Sequence, residues 1–272
     1  MNSTMAAPSD SFLRTLVTRH SLLYQMVRRD FEQRFVGSAA GWLWSLIHPL
    51  VLLLSWTFVF QWCLKVPPPP DALTQNYTLF LFCGYLPWML FQETVQRSAN
   101  SLIDNANLIT KTIFPSELVP VSIFLSSLVS HLIALCLVIA MVAVVLHTVS
   151  AMVLLLPLYT ALLGLFAIGV GWIFAALQVY LRDTAQVVVV LLTGWFWLTP
   201  IFIDESRFPE NLRFLITANP LAYVVRGYRE RILSNRVPDL EELAILALYA
   251  AGAFLLGAVV FKHLKSGFAD VL

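Results

Sequence analysis

The chain has 272 residues and a net charge of +1; 59% of its residues are hydrophobic and 12% are charged, about half the usual charged share. With a mean hydropathy of +0.78 it cannot clothe itself in solvated side chains, which excludes an ordinary soluble globule and points to a protein embedded in lipid. No basic tract is long enough to hold nucleic acid, and Cys63, Cys83 and Cys136, in apolar runs without CxxC spacing, read as small buried hydrophobes rather than metal ligands.

The first residues, MNSTMAAPSDSF, lack an apolar core behind basic residues, so no cleaved signal peptide is expected. Across 11–35, Leu13, Val17, His20, Tyr24, Val27, Phe31 and Phe35 recur at three- and four-residue steps, with Arg28, Arg29, Glu32 and Gln33 on the other face. This predicts a basic amphipathic helix lying along the inner headgroups; a soluble helix docked on a partner is the other reading. GSAAG (37–41) follows, its small residues suited to an elbow, and Trp42 and Trp44 then stand where indoles favour the membrane interface.

Stretches free of charge predict the spans. The first covers about 46–64, and the charge-free stretch 72–92 places the second at about 77–96. Residues 118–181 contain no Asp, Glu, Lys or Arg; as helix they would run roughly 96 Å, three times the hydrocarbon core, so they must fold back, and HTVSA (147–151) is the expected bend. That gives spans near 118–146 and 151–180, followed by 184–203 and 243–261, six in all. Five arginines before the first span argue for a cytoplasmic N-terminus, and six spans bring the C-terminus to the same side. The outside segment 204–242 holds six arginines against this rule, but it is long and five acidic residues lie within 204–239, which lowers its weight. Within it, 208–218 and 219–233 predict two short amphipathic helices, the second capped by Asn219 with Pro220 behind it. Each arginine costs about 2.5–3.5 kcal/mol at mid-bilayer, so these helices should be interfacial or re-entrant rather than spanning.

The spans carry almost no ionisable groups. His131 alone lies deep in one, and a single histidine is more often a packed, hydrogen-bonded side chain than a proton relay. No phosphate-cradling GxxxxGK[ST] loop occurs, nor HExxH or GxSxG. Asp204–Glu205, the one acidic pair considered for glycosidase-like or transferase chemistry, reads more simply as helix-capping or solvated charge. The chain is thus expected to be no enzyme, to hold no cofactor or metal, and to draw its driving force from elsewhere. Trp56, Phe60 and Trp62 in span one, Tyr85 and Trp88 in span two, and Trp195 and Trp197 in span five could stack on sugar faces along a conduit; lipid-facing belts and ordinary packing account for such rings equally well.

RRDFEQRFVGSAAGWLWSLIHPL (28–50), NLITKTIFPSELVP (107–120), LRD (181–183), TPIF (199–202), NP (219–220) and GYRERI (227–232), in this order, resemble the membrane subunits of type-2 ABC exporters that move lipid-linked polysaccharides. The resemblance runs through residues 20–265. It implies an all-α polytopic membrane protein: an N-terminal tail and interface helix over 1–35, a six-span domain over 36–272, a coupling helix within 105–115 that enters a cleft on a separate ATPase, and external gate helices in 204–236. Contact with the ATPase is implied for Arg28, Arg29, Asp30, Asn107, Leu108, Ile109, Lys111, Ile113, Phe114, Arg182 and Asp183. A gate role is implied for Asn219, Pro220, Tyr223, Tyr228 and Arg229. A homodimer with two ATPase chains is expected in the bacterial inner membrane, both termini cytoplasmic, with ATP and Mg on the partner and lipid-linked glycan as cargo. Capsule, teichoic acid or a small drug are the alternative cargoes, and a membrane-bound glycan or lipid transferase the alternative activity.

Overall fold

Apolar segments too greasy for water become helices because a helix satisfies its own backbone polar groups within one segment. The computed structural model describes residues 19–34, 36–65, 74, 76–111, 114–202, 205 and 208–272, the side chains of Trp42, Ala269 and Asp270 excepted, and among the described residues there is no strand. In chain order the helices are α1 (His20–Gln33), α2 (Trp44–Trp56, continued by a π-helical stretch Thr57–Cys63), α3 (Tyr77–Asp104), α4 (Ala106–Lys111), α5 (Leu118–Leu146), α6 (Leu156–Tyr180, preceded by a 3₁₀ turn Ala151–Leu155), α7 (Thr184–Leu198), α8 (Arg213–Thr217), α9 (Pro220–Leu233), α10 (Leu240–Lys265) and α11 (Phe268–Val271).

The elbow and the bend have backbone causes. Gly37 (φ 77°) and Gly41 (φ 54°) both adopt the left-handed region, which only glycine enters without strain, so GSAAG turns the chain from α1 into α2. His147 at φ 54° ends α5 in a left-handed cap. Residues 147–150 are non-helical, and the Ser150 hydroxyl then accepts from the Met152 amide to start the next helix.

Helix α3 is the hub. Its face through Leu79, Leu86, Phe91, Val95, Ala99 and Leu102 is fully buried against α5, α6, α7 and α9. Helix α10 packs along α6 at closest approach, where Gly169 and Gly257 face each other: a Cβ on Gly257 would collide with the Gly169 carbonyl, and one on Gly169 with the Ala253 carbonyl. Small residues let membrane helices gain dispersion energy where no hydrophobic effect drives them together. Gly257→Val should therefore cost about 1–3 kcal/mol through overpacking, read as a lower melting temperature in detergent.

Among the described residues, four segments are long and apolar enough to cross a bilayer: Trp44–Cys63, Leu118–Leu146, Ala151–Tyr180 and Leu240–Lys265. The other two expected spans differ for separate reasons. Helix α3 has 28 residues, ample length, but Gln92, Glu93, Gln96 and Arg97 lower its hydropathy. Helix α7 is apolar but ends at Leu198 after 15 residues, five short of the expected boundary at 203; it reaches about 22 Å, and 199–202 turns back toward α3.

Candidate functional site

At one end of the molecule α1 is fastened to α3. Arg34 sends Nη1 to Glu93 Oε1 at 2.5 Å and Nε toward Asp30 Oδ2 at 3.5 Å, while Arg97 Nη2 meets Asp30 Oδ1 at 2.6 Å. Arg34 also donates to the Ser127 hydroxyl at 2.9 Å on α5. Burial lowers the Arg34 pKa below its ordinary value, and the facing Glu93 and Asp30 only partly offset this. Asp30 thus binds within the chain, whereas Arg28, paired with Glu32 one turn on, and Arg29 remain exposed. Sequence periodicity found α1 but not its partners, because Glu93 and Arg97 are some sixty residues away and meet it only in the fold.

The predicted coupling segment contains the short helix α4, with Asn107 and Lys111 exposed and Leu108 and Ile109 half-buried. Ile109 and Phe114 pack on the core; Ile113 lies outside the described residues. Helix α11 rests against α4, anchored by Phe268, which is fully buried against Phe261 and Tyr180. Lys265 Nζ reaches Glu117 Oε2 at 2.5 Å, and the Tyr180 hydroxyl donates to the Leu264 carbonyl at 2.7 Å. The C-terminus therefore braces the segment that carries α4. Arg182 and Asp183 are exposed in the turn between α6 and α7, where Gln178 donates to the Arg182 carbonyl at 3.0 Å.

Most of the aromatic residues singled out in the sequence meet in one cluster. Trp56 packs on Tyr85 (4.4 Å between ring centroids) and Phe202 (5.1 Å), Phe60 on Phe202 (5.3 Å), Trp88 on Phe196 (5.3 Å), and Trp197 on both Phe196 and Phe202. Phe196 and Phe202 are its hubs, legible beforehand only as members of aromatic-rich motifs. Trp88 is 1% exposed, so it packs inside the chain rather than facing an open path; Trp62 and Trp197, at 68% and 66%, project outward. Trp195 packs on Phe91 and gives its indole N–H to Asn219 Oδ1 at 2.9 Å.

That bond joins the aromatic end of α7 to the expected gate. Asn219 also caps α9, accepting from the Leu221 amide at 3.0 Å, and its Nδ2 donates to the Thr199 hydroxyl at 3.1 Å. Tyr223 is half-buried, its hydroxyl donating to the Thr217 carbonyl at 2.8 Å. Arg226 bridges Glu205 and Glu242, tying α9 to the preceding loop and to α10; Asp204 lies outside the described residues. Arg229 is 7% exposed, stacks on the Phe80 ring at 3.7 Å, and donates to the Phe80, Pro200 and Ile201 carbonyls. Tyr228 turns inward: Thr160 donates to the Leu156 carbonyl at 2.8 Å, so the Tyr228 hydroxyl donates to Thr160 at 2.5 Å and accepts from His131 Nε2 at 3.0 Å. His131 is thus a packed, hydrogen-bonded residue. Pro220 is buried at the first turn of α9.

A sequence profile of the ABC-2 type transporter family matches residues 21–233. An O-antigen export system permease protein of Klebsiella pneumoniae is 31% identical over 252 residues, covering 92% of this chain and 95% of the relative. The corresponding O-antigen permease of Myxococcus xanthus is 28% identical over 260 residues, 95% and 98% of the two chains. A capsule polysaccharide export inner-membrane protein of Neisseria meningitidis is 20% identical over 264 residues, 94% and 96%.

Proposed function

From the premise that this chain belongs to the ABC-2 type transporter family, we propose that it is the membrane-spanning subunit of an exporter moving O-antigen-like polysaccharide across the inner membrane. One observation carries this: the O-antigen permease relatives align over nine-tenths or more of both chains, so the likeness is to the whole transport subunit. The capsule permease relative makes capsule polysaccharide the second reading. On this reading the chain does no bond-breaking chemistry. It forms a homodimer with two separate ATPase chains, which bind ATP and Mg, and crosses the membrane six times, with α3 as the second pass and α7 the fifth.

The exposed face of α4 and the Arg28–Arg29 face of α1 would receive the ATPases. Both rest on α3, α4 by direct succession and α1 through Asp30 and Arg34. A push there would travel along a rigid helix to the aromatic cluster and the Asn219–Arg229 ties around α9. Such an element with two packings can convert nucleotide binding into alternating access. Helix α9 would stand as a gate on the far side, and the glycan would follow its lipid anchor from the inner leaflet.

Lys111→Glu should leave the protein folded, because the side chain is exposed, while abolishing export and sparing basal ATP hydrolysis by the complex. Export at wild-type rate would remove the coupling role of α4. Cysteines introduced at the exposed positions Asn107 and Asn211 should react with impermeant reagents from opposite sides of the membrane; reaction from one side would overturn the six-pass topology.

A further inference from the structure

Helix α3 leaves one stripe only partly covered by the rest of the chain, half-buried at Tyr85, Met89 and Gln92 and exposed at Gln96 and Asn100. Tyr85, Met89, Gln92, Gln96 and Asn100 recur at three- and four-residue steps, while Trp88, Phe91, Val95, Ala99 and Leu102 are buried on the opposite side. The stripe spans about 22 Å. Gln92 accepts from the Trp88 indole and Asn100 accepts from Gln178 Nε2 at 3.2 Å, but the remaining amide groups of the three carboxamides would be expensive against acyl chains, where each polar group left without a partner costs several kcal/mol. Polar side chains of membrane helices accordingly face a bundle interior or a water-filled path.

Two cavities open along this stripe. The first, about 380 Å³, is walled by Trp44, Tyr85 and Met89, with His48, Gln92 and Gln96 among its polar groups. The second, about 530 Å³, continues past Gln96 to Asn100, Asp104 and Asn105. They share Arg34, Gln96 and Arg97, so together they make one track leading from the end of α3 beside α4 toward the aromatic cluster. The Trp88 indole donates to Gln92 Oε1 at 2.6 Å, which fixes that amide and leaves its –NH₂ as a donor for a ligand.

Charge decides what the track can hold. Arg34 and Arg97 are each met by a carboxylate, Glu93 and Asp30 respectively, so neither presents an unbalanced cation, and the second cavity adds Arg29 and Asp104, one charge of each sign. A diphosphate headgroup entering the first cavity would meet Glu93 as well as the arginines. A neutral, polyhydroxylated ligand instead finds amides, an imidazole, the Ser45 and Ser130 hydroxyls and two aromatic rings, groups that exchange hydrogen bonds with hydroxyls directly or through water. We propose that the Tyr85–Gln92–Gln96 stripe of α3, faced by Trp44 and His48, is a binding track for the neutral sugar units of the exported glycan. The proposal rests on the export function above and places the sugar-recognising groups on carboxamides of α3 rather than on the tryptophans of the aromatic cluster.

The test uses the full-length chain co-purified with its ATPase in detergent. The probes are lipid-free polysaccharide, released by mild acid from the producing cells, and farnesyl diphosphate. The Gln92→Leu/Gln96→Leu variant should bind the polysaccharide about thirtyfold more weakly, the loss of two hydrogen bonds near 1 kcal/mol each, with farnesyl diphosphate binding unchanged; Gln96→Asn should keep most of the affinity. If the double variant does not fold, Gln96→Leu alone, at an exposed position, decides with a smaller loss. Wild-type glycan affinity in the variants, no glycan binding by the wild type, or a loss confined to farnesyl diphosphate would overturn the track. Failure of the export reading looks different: disrupting the gene would leave the cell-surface glycan unchanged.

Discussion

Replacing Arg229 with methionine should lower stability by about 3–5 kcal/mol, because it leaves the Pro200 and Ile201 carbonyls unpaired in a buried site and removes the second donor of the Phe80 carbonyl, which keeps its bond within α3. The Phe80, Pro200 and Ile201 carbonyls have converged on one planar guanidinium that also stacks on the Phe80 ring. Lysine should not rescue it, since a single ammonium cannot reproduce the fork or the stacking. Thermal unfolding in detergent reads the loss directly. A change of less than about 1 kcal/mol would mean that the Pro200 and Ile201 carbonyls find other donors and that Arg229 is not the tie between α3, α9 and the segment after α7. On the proposed mechanism the same residue sets how α9 sits, so Arg229→Met complexes that survive purification should show altered export at normal ATP binding.

The second large effect is expected at Arg34. Its guanidinium is 15% exposed, paired with Glu93 and Asp30 and bonded to Ser127. Arg34→Ala leaves two partly buried carboxylates with Arg97 alone, and removing one partner of a buried ion network costs about 3 kcal/mol. The Arg34→Ala/Glu93→Ala double variant should recover part of that loss, since the group left stranded is gone too. A double-mutant cycle with additive losses would show that the Arg34–Glu93 pair adds nothing to the hold on α1.

Several features of this protein were legible in order and kind because they depend on local chemistry. The amphipathic period of α1, the glycine elbow, the bend near 147–151 and the Asn219–Pro220 start of α9 are written in neighbouring residues, and the structure has a helix, a turn or a cap at each. The aromatic residues were visible as types, but not that Trp56, Phe60, Tyr85, Trp88 and Trp197 would gather around Phe196 and Phe202, nor that Trp88 would be sealed inside. The resemblance grouped Tyr228 with the gate residues, and only the fold shows that its hydroxyl meets His131 and Thr160. An amphipathic stripe tells which side is apolar and not which apolar neighbour it meets.

By itself the amino-acid sequence determined that the protein is helical and lives in a membrane, since a chain with so few charges can satisfy its backbone only by internal hydrogen bonds and its side chains only in lipid or against each other. Its ordered motifs also carried the family. Tertiary structure alone decided which polar groups are spent on one another and which stay open: Arg34, Arg97, Asp30 and Glu93 cancel across residues far apart in the chain, Arg229 is consumed by backbone carbonyls, and the glutamines of α3 are left facing a cavity. Pairing of this kind depends on distances of a few ångströms between segments, and linear order does not encode those distances.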